Sequence, residues 1–220
     1  MTQTPISITS RVVGCGSIGS RYVQALSRLT NCRPIAHPVS GTIRNAEIQD
    51  LCELEFPLGA SGSIVELSVV ASETLWHAQH AALVAPLSKR LLIEKPLASD
   101  LVEWKREAHL SLASGKTWVA APLRFHEGFK YTQSRLPTIG RIRSAVIDCR
   151  SWLGSWRGKR SPASQYSSDP AQGGVLRDLI HEFDYGLAFF GSPLAISCVL
   201  QSSDLDGIAS DAHANITWIY

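Results

Sequence analysis

Hydrophobic residues in the first 120 positions alternate between short β-branched runs and longer runs with a helical period. Strand-like runs end at Arg11–Val13 and recur at Glu66–Ala71, Arg90–Ile93 and Thr117–Ala121, with a weaker one at Pro34–Val39, which two prolines interrupt. Between them, apolar residues recur at helical spacing from Ile18 to Leu29, as in an amphipathic helix, and a second helix is predicted at His77–Ala85. Strands that alternate with helices predict βαβ units and therefore a doubly wound parallel sheet.

A third helix is predicted after the strand at Arg90–Ile93. Ser99 is expected to cap its N-terminus, and Glu103 lies near its first turn. The helix should run to about Ala113, because Gly115 is a typical stop signal.

The pattern changes after about Leu123. Longer alternating segments at Ile139–Arg150, Ala195–Gln201 and Asn215–Tyr220 predict an antiparallel sheet, with an irregular stretch and one helix between the first two. We therefore expect an α/β protein with two domains. Residues 1–123 would form a Rossmann domain with a doubly wound parallel sheet, and residues 124–220 an α+β domain with a mainly antiparallel, incomplete open sheet.

Composition narrows the class of protein only slightly. Of the 220 residues, 45% are hydrophobic and 18% are charged, and the net charge of +2 indicates no affinity for nucleic acids or membranes. The five cysteines are scattered without CxxC spacing, which argues against disulfides and zinc and favours a reducing compartment. No signal peptide or membrane span is recognised. A soluble, cytoplasmic protein without a metal site is expected.

The first chemical motif is Gly14-Cys15-Gly16-Ser17-Ile18-Gly19, a GxGxxG between a predicted strand and a predicted helix. Gly14 would permit the tight turn, Gly16 would let the backbone approach a pyrophosphate, and Gly19 would allow close helix–strand packing. The N–H groups at the start of the helix, around Ser17 and Ile18, and the helix dipole would hold the phosphates. The motif predicts dinucleotide binding, and a plain structural turn is the alternative.

The acidic residue that usually binds the adenosine ribose, about 20 residues after the glycines, is missing. The segment from Ile35 to Arg44 contains no acid. His37, Ser40 and Arg44 could instead face a 2′-phosphate, which favours NADP over NAD. An ordinary loop is the alternative interpretation.

A second motif, Glu94-Lys95-Pro96, directly follows a predicted buried strand. Ligands of open α/β sheets bind at the carboxyl ends of the strands, so a charged pair at this position is a candidate site. A solvated ion pair is the alternative.

The third motif is the helical segment from Gly173 to Tyr185. On a continuous helix Asp178, His181 and Tyr185 would share one face. An Asp one turn from a His can fix its tautomer and raise its proton affinity, which suits a general acid or base. A satisfied surface histidine is the alternative.

Together these segments resemble the Gfo/Idh/MocA family of nicotinamide-dependent sugar oxidoreductases. The glycine fingerprint, Ala71–His77, Glu94-Lys95-Pro96 and Gly173–Asp184 occur in the order found in that family. Three segments also resemble a branch found among surface-polysaccharide and nucleotide-sugar genes: Arg124-Phe125-His126, Ser155-Trp156-Arg157 and Tyr166-Ser167. Glu73 departs from the family's usual proline. Family members usually continue beyond this C-terminus, so a C-terminally truncated copy is expected.

The resemblance implies roles for individual residues. Lys95 would orient the substrate hydroxyl and relay its proton, and His181 would act as acid or base beside Asp178. The expected cofactor-binding residues are the glycine loop with Ser72, Thr74, His77, Glu94 and Lys95. The expected substrate-binding residues are Arg124, Trp156, Tyr166, Asp178 and His181.

The predicted activity is hydride transfer between NAD(P) and a hydroxyl or carbonyl of a sugar or sugar derivative. The expected partner is a small-molecule sugar or nucleotide sugar, and the family's open sheet face makes a homo-oligomer a further expectation. The alternative is a non-catalytic dinucleotide-binding regulator, or a degenerate remnant of the same fold, which the short C-terminus and Glu73 favour.

A nucleic-acid-binding module is a second alternative. Six basic residues and two tryptophans lie between positions 141 and 160: Arg141, Arg143, Arg150, Arg157, Lys159 and Arg160, with Trp152 and Trp156. The alternating pattern at Ile139–Arg150 fits the sheet wall of a sugar site better, so no nucleic-acid or membrane partner is expected.

Overall fold

The chain is organised as two compact units, Met1–Ala120 (unit 1) and Ala121–Tyr220 (unit 2). A computed structural model describes residues 7–43, 45–107, 115–156, 161–202 and 207–220. Within these ranges, none of the helices has both the length and the apolar character needed to cross a membrane.

A six-stranded parallel sheet forms the centre of unit 1 within the described residues. Its strands are β1 (Ser10–Val13), β2 (Ile35–His37), β3 (Glu53–Leu54), β4 (Val65–Val70), β5 (Ser88–Ile93) and β6 (Thr117–Val119). They lie in the order β3-β2-β1-β4-β5-β6, and each neighbouring pair is parallel. This is the strand order of a doubly wound fold, so the predicted fold class is confirmed. The short strand β3 was not predicted.

Within the described residues, three α-helices lie between the strands: α1 (Ser17–Leu29), α2 (His77–Val84) and α3 (Leu101–Glu107). The predicted cap of α3 is wrong by one residue. Asp100 rather than Ser99 caps the helix, because Asp100 Oδ1 accepts from the backbone N–H of Val102 at 2.6 Å. The predicted end near Ala113 lies outside the described residues.

Adjacent valines of the central strands supply the two cores of unit 1. Successive side chains of a strand point to opposite faces, so Val12 and Val69 belong to one cluster and Val13 and Val70 to the other. Helix α1 contributes to the first cluster, and α2 and α3 contribute to the second. All four valines are fully buried, which stabilises the fold by roughly 1.5–3 kcal/mol for each. Both faces of the sheet are therefore covered.

The central strand β1 also buries a charged residue. The side chain of Arg11 is 0% exposed and donates to the carboxylate of Glu55, which is 3% exposed, with 2.9 Å between Nε and Oε2. Arg11 also donates to the carbonyl oxygen of Ser63. Burial raises the pKa of Glu55, but the hydrogen bonds from Arg11 and Ser61 outweigh it and lower this pKa to about 2. The loop after β3 is thereby fixed to the central strand.

Unit 2 combines helices with a small antiparallel sheet. Its described helices include α4 (Glu127–Arg135), α5 (Val175–Asp178) and α6 (His181–Phe190), and its strands are β7 (Ala195–Ser202) and β8 (Asp211–Ile219). The predicted antiparallel sheet is confirmed, since β7 pairs with β8 in antiparallel register. The strand predicted at Ile139–Arg150 is wrong. Residues 140–150 are described but form no strand, because an alternating pattern needs a hydrogen-bonded neighbour and none of the described strands pairs with them.

The helix predicted across Gly173–Tyr185 is also interrupted. Helix α5 ends at Asp178, and Leu179 leaves the helical region with φ −100° and ψ 31°. Helix α6 then begins at His181. Asp178 and His181 therefore belong to different helices, so the argument from one face of a continuous helix does not apply to them.

Candidate functional site

The glycine loop lies where the order of the sheet reverses, between β1 and β4. Gly14 follows β1, has φ +90°, and donates its N–H to the carbonyl oxygen of His37 at 2.9 Å. A Cβ on Gly14 would lie 2.5 Å from the backbone nitrogen of Ser72 in the loop after β4. Positive φ and this close approach each require glycine here. The two loops therefore meet at the carboxyl edge of the sheet, where open α/β sheets bind ligands.

Gly16 and Gly19 have opposite surroundings. A Cβ on Gly19 would overlap the carbonyl oxygen of Gly14, so the chain itself requires glycine at this buried position. A Cβ on Gly16 would meet no atom within 4 Å, and its φ of −73° is open to any residue. Of the three glycines in the motif, Gly16 is therefore the one that could carry a side chain without a clash and without an unfavourable backbone angle.

The first turn of α1 is accessible beside Gly16. Gly16, Ser17 and Ile18 are exposed, no side chain caps the helix, and its first turn contains no acidic residue. The first N–H groups of a helix lack intrahelical acceptors and lie at the positive end of its dipole. These residues fit a pyrophosphate, whose oxygens would accept hydrogen bonds from the exposed backbone.

The loop after β4 and the start of α2 carry three residues that the resemblance associates with the cofactor. Ser72 is partly exposed, whereas Thr74 and His77 are 5% and 1% exposed. The protein itself covers most of these two side chains, and the expected cofactor contacts of Thr74 and His77 stay predictions. Both ring nitrogens of His77 face backbone carbonyls, Nδ1 that of Pro96 at 2.8 Å and Nε2 that of Ser72 at 3.0 Å. Burial lowers the pKa of His77, although these carbonyls raise it in part.

The end of β2 does not present His37 to a phosphate. The ring of His37 stacks on Phe56 with 5.6 Å between centroids, and its Nδ1 lies 3.0 Å from the carbonyl oxygen of Glu55. His37 is buried, whereas Ser40 is exposed. Arg44 lies outside the described residues. Of the three residues predicted to face a 2′-phosphate, Ser40 alone is described and accessible.

The Glu94-Lys95-Pro96 segment directly follows β5 at the same edge of the sheet. Glu94 Oε1 accepts a hydrogen bond of 2.6 Å from Tyr22 Oη, and Glu94 Oε2 accepts from the N–H of Lys95 at 3.1 Å. Burial, followed by the Glu94 contact, raises the pKa of Tyr22. Glu94 is therefore engaged by protein groups, while Lys95 is partly exposed and adjacent to it.

Unit 2 brings some of the predicted substrate residues together. Tyr166 Oη lies 3.5 Å from Asp178 Oδ1, a long hydrogen bond. Arg124 donates to both carboxylate oxygens of Asp184, three residues after His181 in α6, with Nη2 2.7 Å from Oδ1. This hydrogen bond raises the pKa of Arg124. Arg124 is therefore already paired with a carboxylate of its own unit.

Two glycines set the start of α5, which carries Asp178. A Cβ on Gly173 would overlap the carbonyl oxygen of Ser167, and one on Gly174, which has φ +97°, would overlap the carboxylate of Asp211. Asp211 Oδ2 accepts from the N–H of Leu176 at 3.1 Å. The Gly-Gly pair thus lets a carboxylate from β8 approach the first turn of α5.

Unit 2 also contains a cavity and the predicted substrate residue Trp156. A cavity of about 220 Å³ between α6 and β8 is lined mainly by apolar residues, and none of the predicted substrate residues lines it. Trp156 is exposed and its indole N–H donates to Ser151, while Arg150 pairs with Asp148 at 2.7 Å. In the described ranges, no three His, Cys, Asp or Glu side chains lie close enough together to hold a metal ion.

Two residues that support the site through hydrogen bonds, Tyr22 and His80, could not be assigned that role from the sequence. Tyr22 was recognised as part of an apolar helix stripe, but nothing in that pattern indicates that its hydroxyl reaches Glu94. His80, whose Nδ1 lies 2.9 Å from Ser72 Oγ, was not singled out. Burial, and then the nearby His37 and His77, lower the pKa of His80 to about 4. Only its position one turn after His77 could have drawn attention to it.

Comparison with known proteins identifies the fold. No family model matches the chain, and no curated protein matches it by sequence. Solved structures do match. One, named as an NADPH-dependent oxidoreductase, from Desulfitobacterium hafniense, is 14% identical with a TM-score of 0.74; the match covers 97% of this chain and 63% of that protein.

Two further matches have named substrates or ligands. Myo-inositol 2-dehydrogenase from Lactobacillus plantarum is 15% identical with a TM-score of 0.73, over 96% of this chain and 65% of that one. The WlbA dehydrogenase from Bordetella pertussis, in complex with NADH and UDP-GlcNAcA, is 13% identical with a TM-score of 0.72, over 94% and 66%. The chain thus has the fold of these Gfo/Idh/MocA-type oxidoreductases and spans 63–66% of the length of the three proteins.

Proposed function

We propose that this chain binds a nicotinamide dinucleotide at the Gly14–Gly19 loop and is part of an oxidoreductase. The observation that carries the proposal is the open space at Gly16. The chain requires Gly14 and Gly19 for its own packing, but its neighbouring atoms do not require Gly16. Glycine at that position is explained by a ligand that the backbone must approach closely.

The substrate is proposed to be a hydroxyl or carbonyl compound of the sugar or polyol class. The solved structures with this fold include an inositol dehydrogenase and a dehydrogenase bound to a nucleotide-sugar acid, which supports that class. A bound nicotinamide would supply the hydride acceptor or donor.

Proton handling is assigned to this chain's own residues. Lys95 would donate a hydrogen bond to the reacting oxygen, and His181 would take or give the proton, with Asp178 as its neighbour in sequence. Glu94 is not proposed as a base, because both its carboxylate oxygens already accept hydrogen bonds. Ser72 remains a proposed cofactor contact, whereas Arg124, Trp156 and Tyr166 are proposed substrate contacts.

NADP is proposed over NAD on the basis of two features in and after β2. The end of β2 lacks the carboxylate that would hold a ribose 2′-hydroxyl and would repel a 2′-phosphate. Exposed Ser40 in the following turn supports acceptance of the phosphate. We expect NADPH to bind at least as tightly as NADH, and a clear preference for NADH would overturn this part of the proposal.

The experiment separates binding from chemistry. The fluorescence of NADH and NADPH is titrated with the protein, and a panel of polyols, free sugars and nucleotide sugars is then screened for turnover. Lys95→Ala should lower turnover by about 10²–10⁴-fold while cofactor affinity changes little. Cofactor binding without turnover of any substrate would favour a non-catalytic dinucleotide-binding protein. Unchanged turnover in Lys95→Ala would refute the assigned role of Lys95.

A further inference from the structure

Two backbone segments at the carboxyl edge of the unit 1 sheet are joined by a single buried side chain. His77, in the first turn of α2, places Nδ1 2.8 Å from the carbonyl oxygen of Pro96 and Nε2 3.0 Å from that of Ser72. Pro96 directly follows Lys95, and Ser72 is the residue whose backbone nearly touches Gly14. One imidazole therefore spans the proposed cofactor loop and the proposed catalytic segment.

The other side of Lys95 is also anchored. Glu94 accepts from Tyr22 in α1 and from the backbone N–H of Lys95. The residue before Lys95 is thus held by α1, and the residue after it is held by His77. A side chain carried between two anchored residues has a restricted position, whereas loss of one anchor frees the backbone on that side.

We infer that His77 is a positioning residue, which fixes Lys95 for the reaction through the carbonyl of Pro96. It is not assigned a catalytic role, because it is 1% exposed and both its ring nitrogens face backbone carbonyls. This inference rests on the proposed function for the role of Lys95, but the placement of Lys95 by His77 can be measured without any substrate.

The two ring nitrogens can be separated by substitution. A neutral imidazole has one N–H and donates to one of the two carbonyls, whereas an imidazolium has two and donates to both. Asparagine carries an amide nitrogen at about the distance of Nδ1 along the side chain, and glutamine carries one nearer the distance of Nε2. His77→Asn can therefore keep the hydrogen bond to Pro96, whereas His77→Gln can keep only the one to Ser72.

The test compares these two variants, each of which can keep only one of the two contacts of His77. If His77 positions Lys95, His77→Gln should lower kcat by about 10²-fold, the cost of a misplacement of about 1 Å, with the Kd for NADH or NADPH unchanged. His77→Asn should retain most of the activity. In a Lys95→Ala background, His77→Gln should have no further effect on kcat.

The substrate-independent measurement is the rate at which a small acylating reagent modifies Lys95, followed by mass spectrometry, with Lys89 as the internal control. Lys89 lies at the start of β5 and is largely exposed. His77→Gln should change the rate at Lys95 but not at Lys89, and His77→Asn should change neither. Equal kcat and equal acylation rates in the two variants would overturn the inference. An altered acylation rate in a protein that turns over no substrate would keep the positioning role and reject the proposed function.

Discussion

Replacement of Gly16 by valine tests whether the open space beside α1 belongs to a ligand. The backbone at Gly16 is already extended, with φ −73° and ψ −162°, and a Cβ there would meet no atom within 4 Å. Gly16→Val should therefore lower the free energy of unfolding by no more than about 1 kcal/mol, since valine is a poorer N-cap residue than glycine. The matched control is Gly19→Val, where a Cβ would overlap the carbonyl oxygen of Gly14. That variant should be destabilised by about 1–3 kcal/mol or more.

The expected loss of binding follows from the hydrogen bonds that valine would displace. Its side chain would stand between the phosphates and the N–H groups at the start of α1. A hydrogen bond to a charged group contributes about 1.5–3 kcal/mol, so the loss of two weakens binding by about 3–6 kcal/mol. At about 1.4 kcal/mol per tenfold change, the Kd for NADH or NADPH should rise about 10²–10⁴-fold.

Urea unfolding and cofactor fluorescence titration measure the two effects on the same samples. A Gly16→Val protein that folds normally and has lost cofactor binding is the expected result. Normal binding by this variant would show that the pyrophosphate lies elsewhere. Destabilisation comparable to that of Gly19→Val would show that the chain itself needs glycine at position 16.

Two further predictions concern stability. The pKa of Glu55 is about 2 in the folded protein, below its ordinary value of 4.5. Ionised Glu55 therefore contributes about 3 kcal/mol to the free energy of unfolding. This contribution is present above pH 4.5 and is lost as the pH falls towards 2. Thermal unfolding across this pH range should show that loss in the parent but not in Glu55→Gln. At pH 7, Glu55→Gln should be less stable than the parent, because Arg11 stays buried without its counter-ion. Gly174→Ala should destabilise the protein by about 1–3 kcal/mol in urea unfolding, because the methyl group would overlap the Asp211 carboxylate at positive φ. An alanine variant as stable as the parent would contradict that packing.

The parallel sheet could be predicted because its signals are local. The runs at Glu66–Ala71 and Arg90–Ile93 lie within two residues of β4 and β5, and the glycine motif marks the start of α1. The two-residue strand β3 is too short to have a periodic pattern. The failed strand at Ile139–Arg150 has the required alternation, but alternation does not supply a partner strand.

The site was predicted less completely, because much of it depends on contacts between residues remote in sequence. The motif Glu94-Lys95-Pro96 could be located from its place after a strand, but the hydrogen bond from Tyr22 spans 72 residues. The resemblance implies a cofactor contact for His77, but no sequence pattern indicates that its side chain is buried against the carbonyls of Ser72 and Pro96. The break before His181 depends on the backbone angles of Leu179, which helical periodicity does not reveal.

The close approach of Gly14 to Ser72 constrains how this chain can be recombined with others. The two positions are 58 residues apart, yet the fit between their backbones leaves no room for a single methyl group. A recombination crossover between positions 14 and 72 would join the glycine turn of one protein to the loop after β4 of another. The two backbone segments would then come from different proteins and would not be matched to each other. Crossovers before β1 or after α2 would keep the pair together. Residues 10–84 are therefore a unit of exchange, within which sequence changes must be inherited as a block.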